Sequence, residues 1–241
     1  MVLILLFRMR LQIIIPVINE ADNLRRLLPY LLDELNGRGG ITVADGCSQD
    51  DTEEVVRRAG RVHYLACSQP GRSRQMNEAA ARYNHADDVY YFVHADTRPP
   101  RGFYTDIRRS VADGVPMGCY RFRFDSESPL LAINAFFTRF GGLACRGGDQ
   151  SLFVARSAWE ELGGYNGDMD IMEDYEIIQR AWKQEIPFRV IPRDITVSAR
   201  KYEANSWVKV QLANLRVFRM YKRGAAQAQM VAEYERRLKR R

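Results

Sequence analysis

The stretch LQIIIPV, Leu11–Val17, is apolar except for Gln12 and does not alternate. A strand with one wet face alternates, whereas a continuous apolar run fits a parallel strand covered on both faces. The chain after it keeps to that plan. Leu24, Leu27, Leu28, Leu31 and Leu35 recur at helical spacing, with Asn19 and Asp22 as candidate caps and Pro29 predicting a kink or break. ITVA (Ile41–Ala44) reads as a second strand, DTEEVVRRA as a second helix, VHYL (Val62–Leu65) as a third strand, SRQMNEAAARY (Ser73–Tyr83) as a third helix and VYYFV (Val89–Val93) as a fourth strand. Strand and helix in strict alternation imply an α/β fold with a Rossmann-like, mostly parallel sheet flanked by helices.

The second half is less regular. GCYRFRF (Gly118–Phe124) alternates as a strand would, Leu130–Phe140 reads as an apolar helix, and SLFV (Ser151–Val154) as a short strand. RSAWEELGGY is a helix stopped by Gly163 and Gly164, and another helix starts at Glu173. FRVI and ITVS read as two strands. From Asn205 onward the chain reads as two helices broken near Gly224. The expected organisation is a single domain, with 11–117 forming one half, 118–203 the other and 204–241 a basic helical tail.

Parallel sheets of this kind take ligands at the carboxyl ends of their strands. Asp45 leaves the second strand in ADGCSQDDT, where it could accept hydrogen bonds from a nucleobase or ribose, or simply begin a capped turn. His94 and Asp96 leave the fourth strand in FVHADT. Two residues apart on a strand, they would face the same way. A carboxylate suits Mg²⁺, and an imidazole beside it suits Mn²⁺; the plain alternative is a surface loop. PGRSRQMN sets Gly71, Arg72 and Arg74 at a helix start, which is an anion site or a solvated basic turn. In MEDYE, Glu173 and Asp174 are adjacent at another helix start. Negative charge is favoured there, and neighbouring carboxylates raise one another's pKa, as a general base requires. GGDQ adds Asp149 and Gln150 on flexible backbone.

Composition narrows the class. The 241 residues are 46% hydrophobic and 27% charged, a globular profile. Cys47, Cys67, Cys119 and Cys145 show no CxxC spacing, which excludes a zinc ribbon and suits a reducing cytosol. The net charge is +6, yet residues 214–241 hold nine basic and two acidic side chains, so the whole excess lies in the tail. A nucleic-acid enzyme would carry that charge around its cleft. No GxGxxG opens the first helix, which excludes a dinucleotide dehydrogenase. The apolar run Val2–Phe7 is too short to span a bilayer and lacks a small-residue cleavage site, so it is expected to be a leader or early strand. In the tail, Trp207, Val210, Val217, Phe218 and Tyr221 share a helical arc opposite Lys209 and Arg216. That arc would pack on the domain or lie on a membrane surface.

In their order, PVINE, VADGCSQDDT, PGRSRQMN, FVHADT, GGDQ and EDYE resemble the inverting family 2 glycosyltransferases of the GT-A fold. Within these, they look most like a small bacterial group tied to arsenosugar and radical-SAM/selenium gene clusters. The resemblance covers 11–202. It implies an enzyme that moves a sugar from a nucleoside-diphosphate sugar to an acceptor hydroxyl; with the cysteine usage and the basic tail, the expected location is the cytoplasm or the inner face of the membrane. It also implies that Pro16 and Glu20 line the nucleotide pocket, that Asp45 meets the base or ribose, and that Gly71 and Arg74 lie near the phosphates. Asp96 would hold Mn²⁺ or Mg²⁺ with His94 beside it, Asp149 and Gln150 would lie near acceptor and sugar, and Asp174 would be the catalytic base with Glu173 next to it. His94 departs from the wider family, which has aspartate there. The alternatives are a sugar nucleotidyltransferase, although PVINEADN lacks a glycine-rich phosphate loop, and a non-catalytic nucleotide-binding domain.

Overall fold

The computed structural model describes residues 9–238, and the Val2–Phe7 run lies outside them. Leu11, Ile13 and Ile15 of β1 (Arg10–Val17) are buried on one face of a sheet and Ile14 on the other. That two-sided burial is why the run does not alternate. β1 pairs in parallel with β2 (Gly39–Asp45) and β4 (Asp88–Phe92), and β2 pairs in parallel with β3 (His63–Ala66). The crossovers are α1 (Ala21–Leu35), α2 (Thr52–Ala59) and α3 (Arg72–Ala80). Pro29 does not break α1. The leucine face of the helix is buried along its whole length, and this packing holds the helix through the lost backbone bond.

β5 (Thr97–Arg98), α4 (Phe103–Ala112), β6 (Met117–Phe124), α5 (Pro129–Phe137), β7 (Phe153–Ala155), α6 (Arg156–Leu162), α7 (Glu173–Lys183) and β8 (Phe188–Val197) complete the domain. The sheet order is β3-β2-β1-β4-β7-β6-β8-β5. β7 runs antiparallel to both β4 and β6, and β8 runs parallel to β6, so β1, β4, β6 and β8 all end on one edge. The two strands expected from FRVI and ITVS are one, because Pro192 and Arg193 fall in a register shift opposite Tyr120 and Arg121. A bulge is where a sheet tolerates proline. Gly118 lets β6 sit close to its neighbours: a Cβ there would lie 2.3 Å from the Arg189 carbonyl oxygen and 2.7 Å from the Phe153 ring.

α8 (Arg200–Ala204), α9 (Trp207–Lys222) and α10 (Gln227–Arg237) close the chain. Val210, Ala213 and Val217 of α9 are buried, Phe218 packs on Tyr175 with ring centroids 5.6 Å apart, and the Tyr221 hydroxyl donates to Gln179 at 2.9 Å. The apolar arc read from the sequence therefore faces the domain. No helix among the described residues is long and apolar enough to cross a membrane.

Candidate active site

A cavity of about 1070 Å³ opens at the edge where β1, β4, β6 and β8 end. Its walls come from distant parts of the chain: Glu20 after β1, Asp96 after β4, Asp149 before β7, and Arg200 and Lys201 after β8. The tail is a wall as well, through Gln211, Asn214 and Tyr234. Nothing in the residue pattern foretells this, because the arc that marks α9 as packed does not say what it packs beside.

His94 and Asp96 are not on a strand. β4 ends at Phe92, and the Thr97 amide donates to the His94 carbonyl at 3.1 Å, so His94–Thr97 is a tight turn. Strand periodicity cannot aim the two side chains together, and they face different partners. His94 Nδ1 lies 4.0 Å from Asp149 Oδ1. Burial and then the Arg72 charge push its imidazole down to about 3, so it is neutral and could serve as a ligand nitrogen. Asp96 Oδ2 lies 3.3 Å from Arg200 Nη2. The same guanidinium forks onto Glu20, at 2.6 Å and 3.2 Å to the two carboxylate oxygens. Arg200 escaped sequence reading because its partners are remote in the chain; its only signal was a basic pair directly after a strand.

The polar residues of PGRSRQMN are mostly structural braces. Ser73 donates to the Met169 carbonyl at 2.7 Å, and Asn77 exchanges hydrogen bonds with the Tyr165 backbone at 2.8 and 2.9 Å. Gln75 spans the ends of β1 and β2 through the Val17 and Ala44 carbonyls. α3 thus fixes the loop that leads into α7. Gly71, at φ 142°, starts α3 in a backbone geometry suited to glycine. Arg74 turns to an exposed flank, 3.6 Å from Asp170, and is not on the cavity wall. Arg72, itself half-exposed, reaches across to α7 and donates to buried Glu173 at 2.9 Å.

Asp174 is 7% exposed and off the cavity wall, within reach of the Asp149 charge, and the Tyr165 hydroxyl donates to it at 3.1 Å. Burial pushes its carboxyl up to about 7, with Glu173 and Asp149 adding to the rise and Arg72 opposing it. Asp149 lines the cavity itself. Gln150 is buried behind it and donates to the Tyr120 carbonyl at 3.1 Å. Asp45 is buried and lies off the cavity wall; it accepts from the Ser48 amide and hydroxyl at 2.9 and 2.6 Å and from the Tyr64 hydroxyl at 2.8 Å. Ser48 in turn accepts from the Asn19 amide at 2.8 Å, so Asp45 shapes the loop beside Glu20. A carboxylate offers about four acceptor positions, which leaves one open. Pro16 is half-buried in the β1–β2 ladder opposite Ala44.

Removing Arg72 would strand the Glu173 carboxylate without its partner. Arg72→Ala is expected to cost about 2 kcal/mol or more in urea unfolding. Glu173→Gln in the same background should recover most of that, since an amide needs no counter-charge. An Arg72→Ala protein as stable as the parent would show that the pair carries no weight.

The donors suit a divalent cation only in an open site. Glu20, Asp96 and Asp149 share one wall, and the Asp96 carboxyl is pushed up by burial and by Asp149 while Arg200 pulls it down. That crowding fits a cation held by one or two carboxylates and completed by substrate oxygens. It does not fit a closed protein cage, because among the described residues no three His, Cys, Asp or Glu side chains converge at ligand distance.

Solved structures share this architecture. A mannosyltransferase, PcManGT from Pyrobaculum calidifontis, in complex with GDP-Man and Mn²⁺, superposes with a TM-score of 0.66 at 17% identity, over 94% of this chain and 69% of that one. TarS from S. aureus gives 0.62 at 13% identity, over 95% of this chain and 43% of that one. Glucosyl-3-phosphoglycerate synthase from Mycobacterium tuberculosis, with Mn²⁺, uridine diphosphate and glucosyl-3-phosphoglycerate, gives 0.58 at 10% identity, over 90% and 81%. At such identities the likeness establishes the GT-A fold. No curated protein matches the sequence. The profile of glycosyl transferase family 2 matches residues 12–136, just over half of the sequence, and displaces the nucleotidyltransferase alternative: the chain belongs to glycosyl transferase family 2.

Proposed function

We propose that this glycosyltransferase moves a sugar from a nucleoside-diphosphate sugar to an acceptor hydroxyl, with inversion and with the aid of Mn²⁺ or Mg²⁺. The observation that carries the reading is the convergence of Glu20, Asp96, Asp149, Arg200 and Lys201 on one cavity, with buried Asp174 within reach of the Asp149 charge. The half 11–117 supplies the nucleotide side: Pro16 and Glu20 from the first strand, Asp45 and its turn toward the base, and Gly71 at the entry to α3; Arg74, paired with Asp170 off the cavity wall, is left out of the phosphate role. The half 118–203 supplies the acceptor side, with Asp149 and Gln150.

Arg200 and Lys201 orient the diphosphate and offset its charge as it leaves. A divalent cation on Asp96 would add Lewis-acid charge for the same group, with His94, which faces Asp149, one step removed. Asp174 takes the proton from the acceptor hydroxyl as that oxygen bonds to the anomeric carbon and the bond to the diphosphate breaks. One displacement inverts the centre. Tyr165 and Arg72 oppose the rise that burial imposes on Asp174, and Glu173 holds Arg72. A second assignment of the base, Asp149, has one observation in its favour: it lines the cavity and Asp174 does not. The motif order also supports the arsenosugar- and selenium-associated subgroup.

A thermal-shift screen of nucleoside diphosphates, with and without Mn²⁺, tests the reading. One base should raise Tm, and more so with the metal; no response to any diphosphate would reject it.

A further inference from the structure

Nine large apolar side chains stand exposed among the described residues, and eight of them fall on two segments. Leu130, Ile133, Phe136, Phe137 and Phe140 lie on and just after α5; Val208, Leu212 and Leu215 lie on α9. Scattered apolar side chains on a surface need no explanation, but a concentration of this kind does.

The two segments meet at the cavity. Asn134 of α5 and Gln211 of α9 both donate to the Tyr202 hydroxyl, at 3.2 and 3.3 Å. Phe137 both lines the cavity and is half exposed, so it sits on the rim. On α9 the exposed side chains recur at i, i+4 and i+7, on a different arc from the one packed on the domain. The same stripe runs on into Arg219 and Lys222.

Charge identifies what covers this surface. Residues 129–148 and 204–232 contain no Asp or Glu, whereas Lys209, Arg219, Lys222 and Arg223 are exposed along and just after α9; Arg216, also exposed, lies 3.6 Å from Glu233. Arg139 lies over the Phe136 ring at 4.1 Å, its charge beside an aromatic cluster of Phe136, Phe137 and Phe140. Exposed aromatics ringed by basic side chains are the composition of an interfacial anchor. A second copy docking through the same face would set those cations against each other. An anionic lipid surface meets both features at once.

We propose that α5 and α9 seat the protein on an anionic bilayer, with the rim of the cavity at headgroup level. The surface does not depend on the assigned reaction, so its test can fail while the transferase reading stands. The full chain is floated with vesicles of about one-third phosphatidylglycerol in phosphatidylcholine, and with phosphatidylcholine alone. Wild type should float with the anionic vesicles and much less with the neutral ones. Phe136→Gln, Phe140→Gln, Leu212→Gln and Leu215→Gln together should weaken binding at least about tenfold. Lys209→Gln, Arg219→Gln and Lys222→Gln together should weaken binding to anionic vesicles only. All seven side chains are exposed and off the cavity wall, so far-UV circular dichroism melts should match wild type. Wild type that stays with the soluble fraction, an apolar variant that floats as well as wild type, or a wild-type dimer that the apolar variant converts to monomer without any vesicle binding would each overturn the proposal.

Discussion

Asp174→Asn is expected to lower kcat by about 100- to 10,000-fold, the range lost when a positioned general base is removed. Nucleoside diphosphate affinity should stay within about threefold, since the side chain is buried and off the cavity wall. Asp149→Asn is the discriminating partner. If Asp149 is the base, the large loss moves to that variant and Asp174→Asn keeps most of its rate.

The pH dependence follows from the same environment. A base must be ionised, and burial pushes the Asp174 carboxyl up to about 7. Activity of the parent should therefore rise as pH climbs through about 7 and level off above it, and the residual activity of Asp174→Asn should lack that step. Stability runs the other way. The folded protein holds this proton between the ordinary carboxylate range and about 7, where the unfolded chain has released it. The unfolded state binds fewer protons there, so stability falls as pH rises across that window, and the full cost is present above it. The asparagine carries no charge to bury and its Oδ1 can still accept from Tyr165. Asp174→Asn should therefore melt above the parent at pH 8 and converge with it toward pH 4. A variant less stable than the parent at pH 8 would contradict the assigned environment.

The sequence reveals features whose physical cause is local. Burial of β1 on both faces erases alternation over Leu11–Val17, and that single effect leads to the parallel sheet and the edge where the cavity lies. Glu173 and Asp174 stand out because acidic pairs at a helix start are visible one residue at a time. Features made by remote contacts leave no such trace. Arg200 takes its place from Glu20, 180 residues earlier. The turn at His94–Thr97 was hidden by Val93, which extends the apolar run one residue beyond the strand. Arg72 and Arg74 are equivalent as text and both half-exposed, but two positions of helix rotation give one a buried carboxylate, Glu173, and the other an exposed one, Asp170. Pro192 reads as a break between strands, and only a partner strand shows that a bulge absorbs it.

Asp96 and Arg200 should divide diphosphate binding between them. In the free protein Arg200 bridges Glu20 and Asp96, so one guanidinium stabilises two carboxylates that would otherwise repel. Asp96→Asn removes the carboxylate best placed to hold a cation. Isothermal titration should show that added Mn²⁺ no longer tightens nucleoside diphosphate binding, a loss of about 100-fold in affinity at saturating metal, or some 2.7 kcal/mol. Transfer should fall by about 1000-fold or more, because the leaving group loses that charge as well. Metal-free affinity should be unchanged or better, since Arg200 is then released from Asp96 toward the diphosphate. Arg200→Ala should give the opposite pattern: weaker metal-free binding, by about tenfold for one lost charge-assisted contact, with the Mn²⁺ increment kept. Equal losses of both increments in the two variants would mean that Asp96 and Arg200 act only as one structural pair. An Asp96→Asn protein that still responds fully to Mn²⁺ would move the cation to Asp149 and His94.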